Sequence, residues 1–236
     1  MSTVAVVGVG PGLGMSVAHR FGREGHRVAL VSRTGARHPG YLASLAEAGI
    51  EAASFVADVR DRDQVVAAVE AIAERFEQPE IVYYGPAALD AADRPTDITV
   101  ADSAAVRQAM SWVYAAVDVV GAVLPDMLER GRGGLLFAGG LSAVVPLPVL
   151  GGLALSSAAL RNYALTLNAG LAERGVYAGT LTIGGLIERG DIHRFMASTP
   201  QGAQINTLDP DELADVAWEM YTKRDRAETV FNALTS

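Results

Sequence analysis

Apolar positions along the chain fall into short runs rich in Val, Ala and Leu, separated by longer stretches in which apolar and polar residues recur at helical spacing. This alternation is the signature of βαβ units around a parallel sheet. TVAVVGV (3–9) predicts a first strand, and GLGMSVAHRFGREG (12–25) a first helix stopped by Gly25. RVALVS (27–32) predicts a second strand, residues 39–49 a helix and EAASFVAD (51–58) a third strand. A helix over 61–76 with Asp61 as N-cap and a strand over 80–85 follow.

A long helix is expected over about Val100 to Glu129, with a kink or break at Pro125, whose ring removes one helical hydrogen bond. The pattern then predicts a strand at 133–140, a helix at about 151–174 and a strand at 176–185. Residues 186–207 show no period, and a loop of that length inside a domain reads as a lid over a pocket. Asp209 and Pro210 open a last helix over 209–223, before a final strand near AETVFN. With no linker, repeat or low-complexity tract, residues 1–236 read as one α/β domain, a doubly wound parallel sheet of Rossmann type.

Composition narrows the function. A formal charge of -8 offers no basic footprint for nucleic acid or an anionic membrane, so a small molecule is the expected partner. The absence of Cys removes disulfide, thiolate and zinc-thiolate chemistry, and His19, His26, His38 and His193 are too scattered to suggest a metal site. The first residues lack a basic n-region, and every apolar stretch long enough to span a membrane contains a charge or a breaker. A cytoplasmic location is expected.

The chemistry starts at GVGPGLG, between the first strand and helix, with Gly8, Gly10, Gly12 and Gly14. Glycines there let the backbone turn tightly and approach a pyrophosphate, and the helix N-terminus behind them offers free N–H groups. At the end of the second strand, where an NAD site carries an acid, this chain has VSRTGAR with Arg33. A guanidinium in a carboxylate-free setting suits a 2'-phosphate and favours NADP(H) over NAD(H).

With ADV at 57–59, YYGP at 83–86, LPDM at 124–127 and SSAAL at 156–160, the pattern Gly8-xxx-Gly12-x-Gly14 resembles the short-chain dehydrogenase/reductase family over nearly the whole chain. The resemblance implies that Gly12, Leu13 and Gly14 line the pyrophosphate, that Ser32, Arg33 and Thr34 face the adenosine ribose, and that Asp58 and Val59 hold the adenine. It places Gly85 and Pro86 at the turn that closes on the cofactor, with Tyr84 in place of an Asn. Gly184, Gly185 and Ile187 fall on the nicotinamide side. It also implies pairing of subunits through the long helix and the next one, as a homodimer or homotetramer.

The same resemblance exposes a departure. Family members use a Tyr acid/base, a Lys four residues later, a Ser and an Asn; here Leu153, Ser157, Gly140 and Trp112 stand at those positions. No tyrosine has Lys or Arg four residues on, and the only lysine is Lys223. Ser142, Ser156, Ser157, Tyr84, Asp191 and His193 are the candidate replacement proton donors, although Ser156 and Ser157 also suit close helix packing, Tyr84 a half-buried strand position, and Asp191 and His193 an exposed loop. Three functions fit: an NADP(H)-dependent oxidoreductase acting on a small apolar substrate without the usual acid–base set, a cyclase or isomerase on the same scaffold, or a non-catalytic NADP(H)-binding regulatory or subunit protein.

Overall fold

Seven parallel strands form the central sheet of the computed structural model, which describes residues 1–86, 94–198 and 206–234. In chain order the elements are β1 (Thr3–Val7), α1 (Leu13–Arg23), β2 (Arg27–Ser32), α2 (His38–Glu47), β3 (Ala52–Val56), α3 (Arg62–Arg75), β4 (Ile81–Tyr84), α4 (Ser103–Arg130), β5 (Gly133–Gly140), α5 (Gly151–Leu171) and β6 (Val176–Gly184). Then come β7 (Leu186–Ile187), α6 (Asp191–Ala197), β8 (Thr207–Leu208), α7 (Pro210–Lys223) and β9 (Glu228–Asn232). The sheet order β3-β2-β1-β4-β5-β6-β9 gives the Rossmann-type doubly wound architecture expected from the pattern.

Both faces of the sheet are covered, which is why its strands read as continuous apolar runs. Alternate residues serve opposite faces. Ala5, Val7, Val31, Val82, Tyr84 and Phe137 pack with α3, α4 and α5, whereas Val4, Val6, Leu30, Ile81 and Tyr83 pack with α1 and α7. Asp61 caps α3 by accepting from the amides of Asp63 and Gln64, and Asp209 caps α7 with Pro210 behind it.

Two expectations change. α4 runs unbroken through Pro125 and stops at Gly131, whose left-handed φ of 63° ends it. The lost proline bond is absorbed by a helix held along its length by α3, α5 and the sheet. Residues 186–207 are not a loop without structure: β7 and β8 pair in parallel, Leu186 with Thr207 and Ile187 with Leu208, and α6 lies between them. The central part of that segment, 199–205, lies outside the described residues.

Among the described residues one helix, α4, is long and apolar enough to cross a membrane by length and composition. Its apolar face instead contributes Val113, Ala116, Val120, Val123 and Met127 to the core beneath the sheet.

Candidate functional site

β1 and β4 lie side by side, with Val7 opposite Tyr84, and beyond them the strand order reverses direction. Connections leaving two such strands part to opposite faces and open a crevice at their C-terminal ends. Gly8 makes the first turn into it with φ of +84°, its N–H donating to the Val31 carbonyl at 2.9 Å. A Cβ on Gly8 would lie 2.5 Å from the backbone of Pro86, so only glycine fits. Gly12 precedes α1 with no side chain capping the helix and no acid in its first turn. Uncapped amides and the positive end of the helix dipole therefore face the crevice.

The resulting cleft encloses about 660 Å3. It gathers Gly8, Gly10, Gly12, Leu13 and Gly14 from the first turn, Ser32, Arg33 and Thr34 after β2, Val59 after β3, Gly85 and Pro86 after β4, Trp112 from α4, and Gly185 and Ile187 after β6. These residues come from all along the chain, and the sequence pattern had singled out each of them.

Other expected residues lie elsewhere, for identifiable reasons. Asp58 does not line the cleft: its carboxylate accepts from the Arg60 backbone at 3.0 Å and from the Arg60 guanidinium at 3.4 Å. Burial raises its pKa, but the bonds to Arg60 and the nearby charge of Arg33 outweigh that and hold the carboxyl below its ordinary range. The setting of the arginines after β2 is nonetheless not carboxylate-free, contrary to expectation, because Asp191 of α6 lines the same cleft and pairs with Arg37. Gly184 is buried against the Leu141 side chain, which occupies the space a Cβ would need.

Tyr84 is not placed as a replacement donor. Its ring points away from the cleft into the α4 side of the core, and its hydroxyl donates to the main-chain carbonyl of Trp112 at 2.6 Å. Leu153 lines a separate recess of about 50 Å3 with Thr96, Ala105, Ala109 and Gly152. His193 sits half-buried in α6 and also lies off the cleft wall. Gly140, Ser142 and Ser157 do come together, with the Ser157 and Ser142 hydroxyls 3.2 and 3.4 Å from where a Cβ on Gly140 would stand.

Several cleft residues escaped the sequence reading. Tyr83, one position before Tyr84 and on the opposite face of β4, lines the cleft beneath Gly85, and burial pushes its phenol pKa up. Arg37 lines it too, beside Asp191, which the sequence offered only as a candidate proton donor in the expected lid. The VSRTGAR run carried a signal for Arg37 in its second arginine, but nothing local pointed to its pairing with Asp191. Behind the Ser32–Thr34 turn, buried His38 is 2.7 Å from the Ser32 hydroxyl, which itself donates to the Thr34 carbonyl. Trp112 carries the Arg60 guanidinium 4.7 Å above its ring, and its buried indole N–H has no acceptor among the described residues.

A glycine turn, an uncapped helix N-terminus and two arginines thus meet at the topological switch point of a doubly wound α/β protein, the place where ligands bind in such sheets. Residues 2–188 match the short chain dehydrogenase family, and the chain belongs to it. Over 66 residues, 28% of the chain, it is 39% identical to 3-dehydrosphinganine reductase TSC10A of Arabidopsis thaliana, and the match spans 20% of that relative's length.

Solved structures agree in fold. The L-sorbose reductase of Gluconobacter frateurii, complexed with NADPH and L-sorbose, superposes with a TM-score of 0.83 at 20% identity, covering 100% of this chain and 97% of that one. The NADPH-bound short chain oxidoreductase of Pseudomonas aeruginosa PAO1, described as containing an atypical catalytic center, also gives 0.83 at 20% identity over 100% and 96% of the two chains.

Proposed function

We propose that this chain is an NADP(H)-dependent oxidoreductase that acts on a small apolar organic substrate without the usual Ser/Tyr/Lys acid–base set. The observation that carries the nucleotide reading is the cleft itself. At one end Gly8, Gly12 and Gly14 leave backbone room before an uncapped helix, and at the other Arg33 and Arg37 offer guanidinium groups suited to a 2'-phosphate. The cofactor, when bound, supplies a hydride acceptor or donor. The chain's own residues bind and orient it. Val59 and Ser32 through Thr34 would flank the adenosine, Gly185 and Ile187 the nicotinamide side, and the segment from β7 to β8 would serve as a lid.

The substrate end differs from ordinary acid–base chemistry. Leu153 presents an alkyl group where the family's acid would stand, and the Tyr84 hydroxyl is committed to Trp112. Ser142 and Ser157, whose hydroxyls converge beside Gly140 just beyond cleft-lining Gly139, would be the groups to hold a substrate oxygen. Positioned acids contribute roughly 10²- to 10⁴-fold, so hydride transfer without one is slow for a simple ketone but open to an iminium or a substrate that supplies its own proton. We further propose a cytoplasmic location and a homodimer or homotetramer, the subunit pairing supported by exposed Tyr114 and Val117 on α4 and Leu155 on α5.

Titration with NADPH and NADH tests the reading, with tighter binding of NADPH expected and its advantage lost in Arg33→Ala. A single-turnover survey of carbonyl, imine and enone substrates then reads nucleotide oxidation. Product formed without nucleotide consumption would instead identify a cyclase or isomerase.

A further inference from the structure

The adenosine end of the cleft is bridged by an ion pair. Arg37, in the turn between β2 and α2, donates from Nη1 to Oδ2 of Asp191, the first residue of α6, at 2.6 Å. Both side chains line the cleft. Among the described cleft-lining residues, Arg33 and Arg37 are the only bases and Asp191 is the only acid. The other carboxylates nearby are engaged elsewhere: Asp58 with Arg60, and Glu188 as acceptor from the Thr207 hydroxyl at 2.7 Å. Arg194 approaches the second oxygen of Asp191 at 3.8 Å, so this carboxylate is held in place on its own helix as well.

We propose that Asp191 is an internal competitor for the 2'-phosphate: its carboxylate holds the Arg37 guanidinium that, together with Arg33, receives that phosphate when NADP(H) binds. The inference rests on the nucleotide reading above and adds a specificity-determining pair to it. A guanidinium fork accepts a carboxylate or a phosphate with the same geometry, and its in-plane donors cannot serve both fully at once. A 2'-phosphate brings up to about two negative charges against the one of Asp191, and so takes the fork. The ribose of NAD(H) brings none, so Arg37 stays with Asp191 and contributes nothing to NAD(H) affinity. The two cofactors are separated both by what Arg37 gains from one and by what Asp191 retains against the other.

The test is titration of NADPH and of NADH into the wild type, Arg37→Ala, Asp191→Asn, the double variant and Arg33→Ala. Thermal melting checks that each variant folds, and Asp191→Ser serves as a second replacement. An exposed ion pair is worth up to about 1 kcal/mol, so Asp191→Asn should bind NADPH about two- to fivefold more tightly while NADH is unchanged. Losing one charged phosphate contact in Arg37→Ala should weaken NADPH about tenfold or more, again sparing NADH. In the double variant the gain from Asp191→Asn should vanish. An unchanged or weakened NADPH affinity in Asp191→Asn, or equal shifts for both nucleotides, overturns the competition. If Arg33→Ala abolishes the preference for NADPH while Arg37→Ala leaves it intact, the nucleotide reading stands and the competition falls. A wild type that binds neither nucleotide overturns both.

Discussion

The hydroxyl of Tyr84, the last residue of β4, donates to the main-chain carbonyl of Trp112 in α4 at 2.6 Å. A cleft residue is thereby positioned by a tyrosine that is itself outside the cleft. Tyr84→Phe should cost about 1 kcal/mol of stability, the net worth of one buried neutral hydrogen bond, and leave nucleotide affinity unchanged within twofold. Urea unfolding and a nucleotide titration on the same variant measure both. A collapse of turnover with stability intact would restore Tyr84 as a proton donor.

Gly8 and Gly10 separate fold from function in the glycine turn. Gly8→Ala puts a Cβ against the Pro86 backbone at a φ of +84° and should destabilise the protein by about 1 to 3 kcal/mol or more. A Cβ on Gly10 meets nothing within 4 Å. Gly10→Ala should therefore keep the melting temperature while weakening nucleotide binding, because the added methyl projects only toward a ligand.

Stability should rise with pH between about 5 and 7. His19, His26 and His38 are all pulled below their ordinary 6.5, chiefly by burial, so the unfolded chain binds more protons than the folded one in that window. Their contribution is complete above 6.5 and is lost as pH falls through it. Asp58, Asp211 and Glu228 have depressed values, and their contributions are lost in a second stage at lower pH. Melting temperatures recorded across pH 4 to 8 should show both stages, with the first reduced in His26→Gln.

Glu228 on β9 joins three elements. It accepts both guanidinium bonds of Arg161 from α5, at 2.7 and 2.6 Å, and the Thr182 hydroxyl of β6 at 2.6 Å. Only 16% of its side-chain surface is exposed. Glu228→Ala should cost about 2 kcal/mol, since Arg161 and Thr182 lose a charged partner together. Chemical denaturation reads the loss, and a change below a few tenths of a kcal/mol would mean that water replaces the carboxylate at no cost.

The sheet and its helices were legible because each strand is buried on both faces and each helix on one, so burial writes itself into local spacing. The glycine turn was legible for a similar reason, since close backbone contact at Gly8 demands a residue without a side chain. Orientation within β4 was not. Tyr83 and Tyr84 are adjacent and chemically alike, and only the sheet's position between two helical layers decides which one meets the cleft. The ion pair of Arg37 and Asp191 was out of reach for another reason, because its members are 154 residues apart and neither segment has a pattern that refers to the other.

The central place of β1 also governs how the sheet can be assembled. β2 can pair with β1 as soon as residue 32 has been synthesised, but the other edge of β1 must wait for Ile81–Tyr84. In that interval Thr3–Val7, whose side chains are all buried in the finished sheet, presents an open row of backbone donors and acceptors. The first three strands and their helices form a half-sheet whose apolar faces need shielding until β4 arrives, so folding is most exposed to aggregation while the middle of the chain is being made.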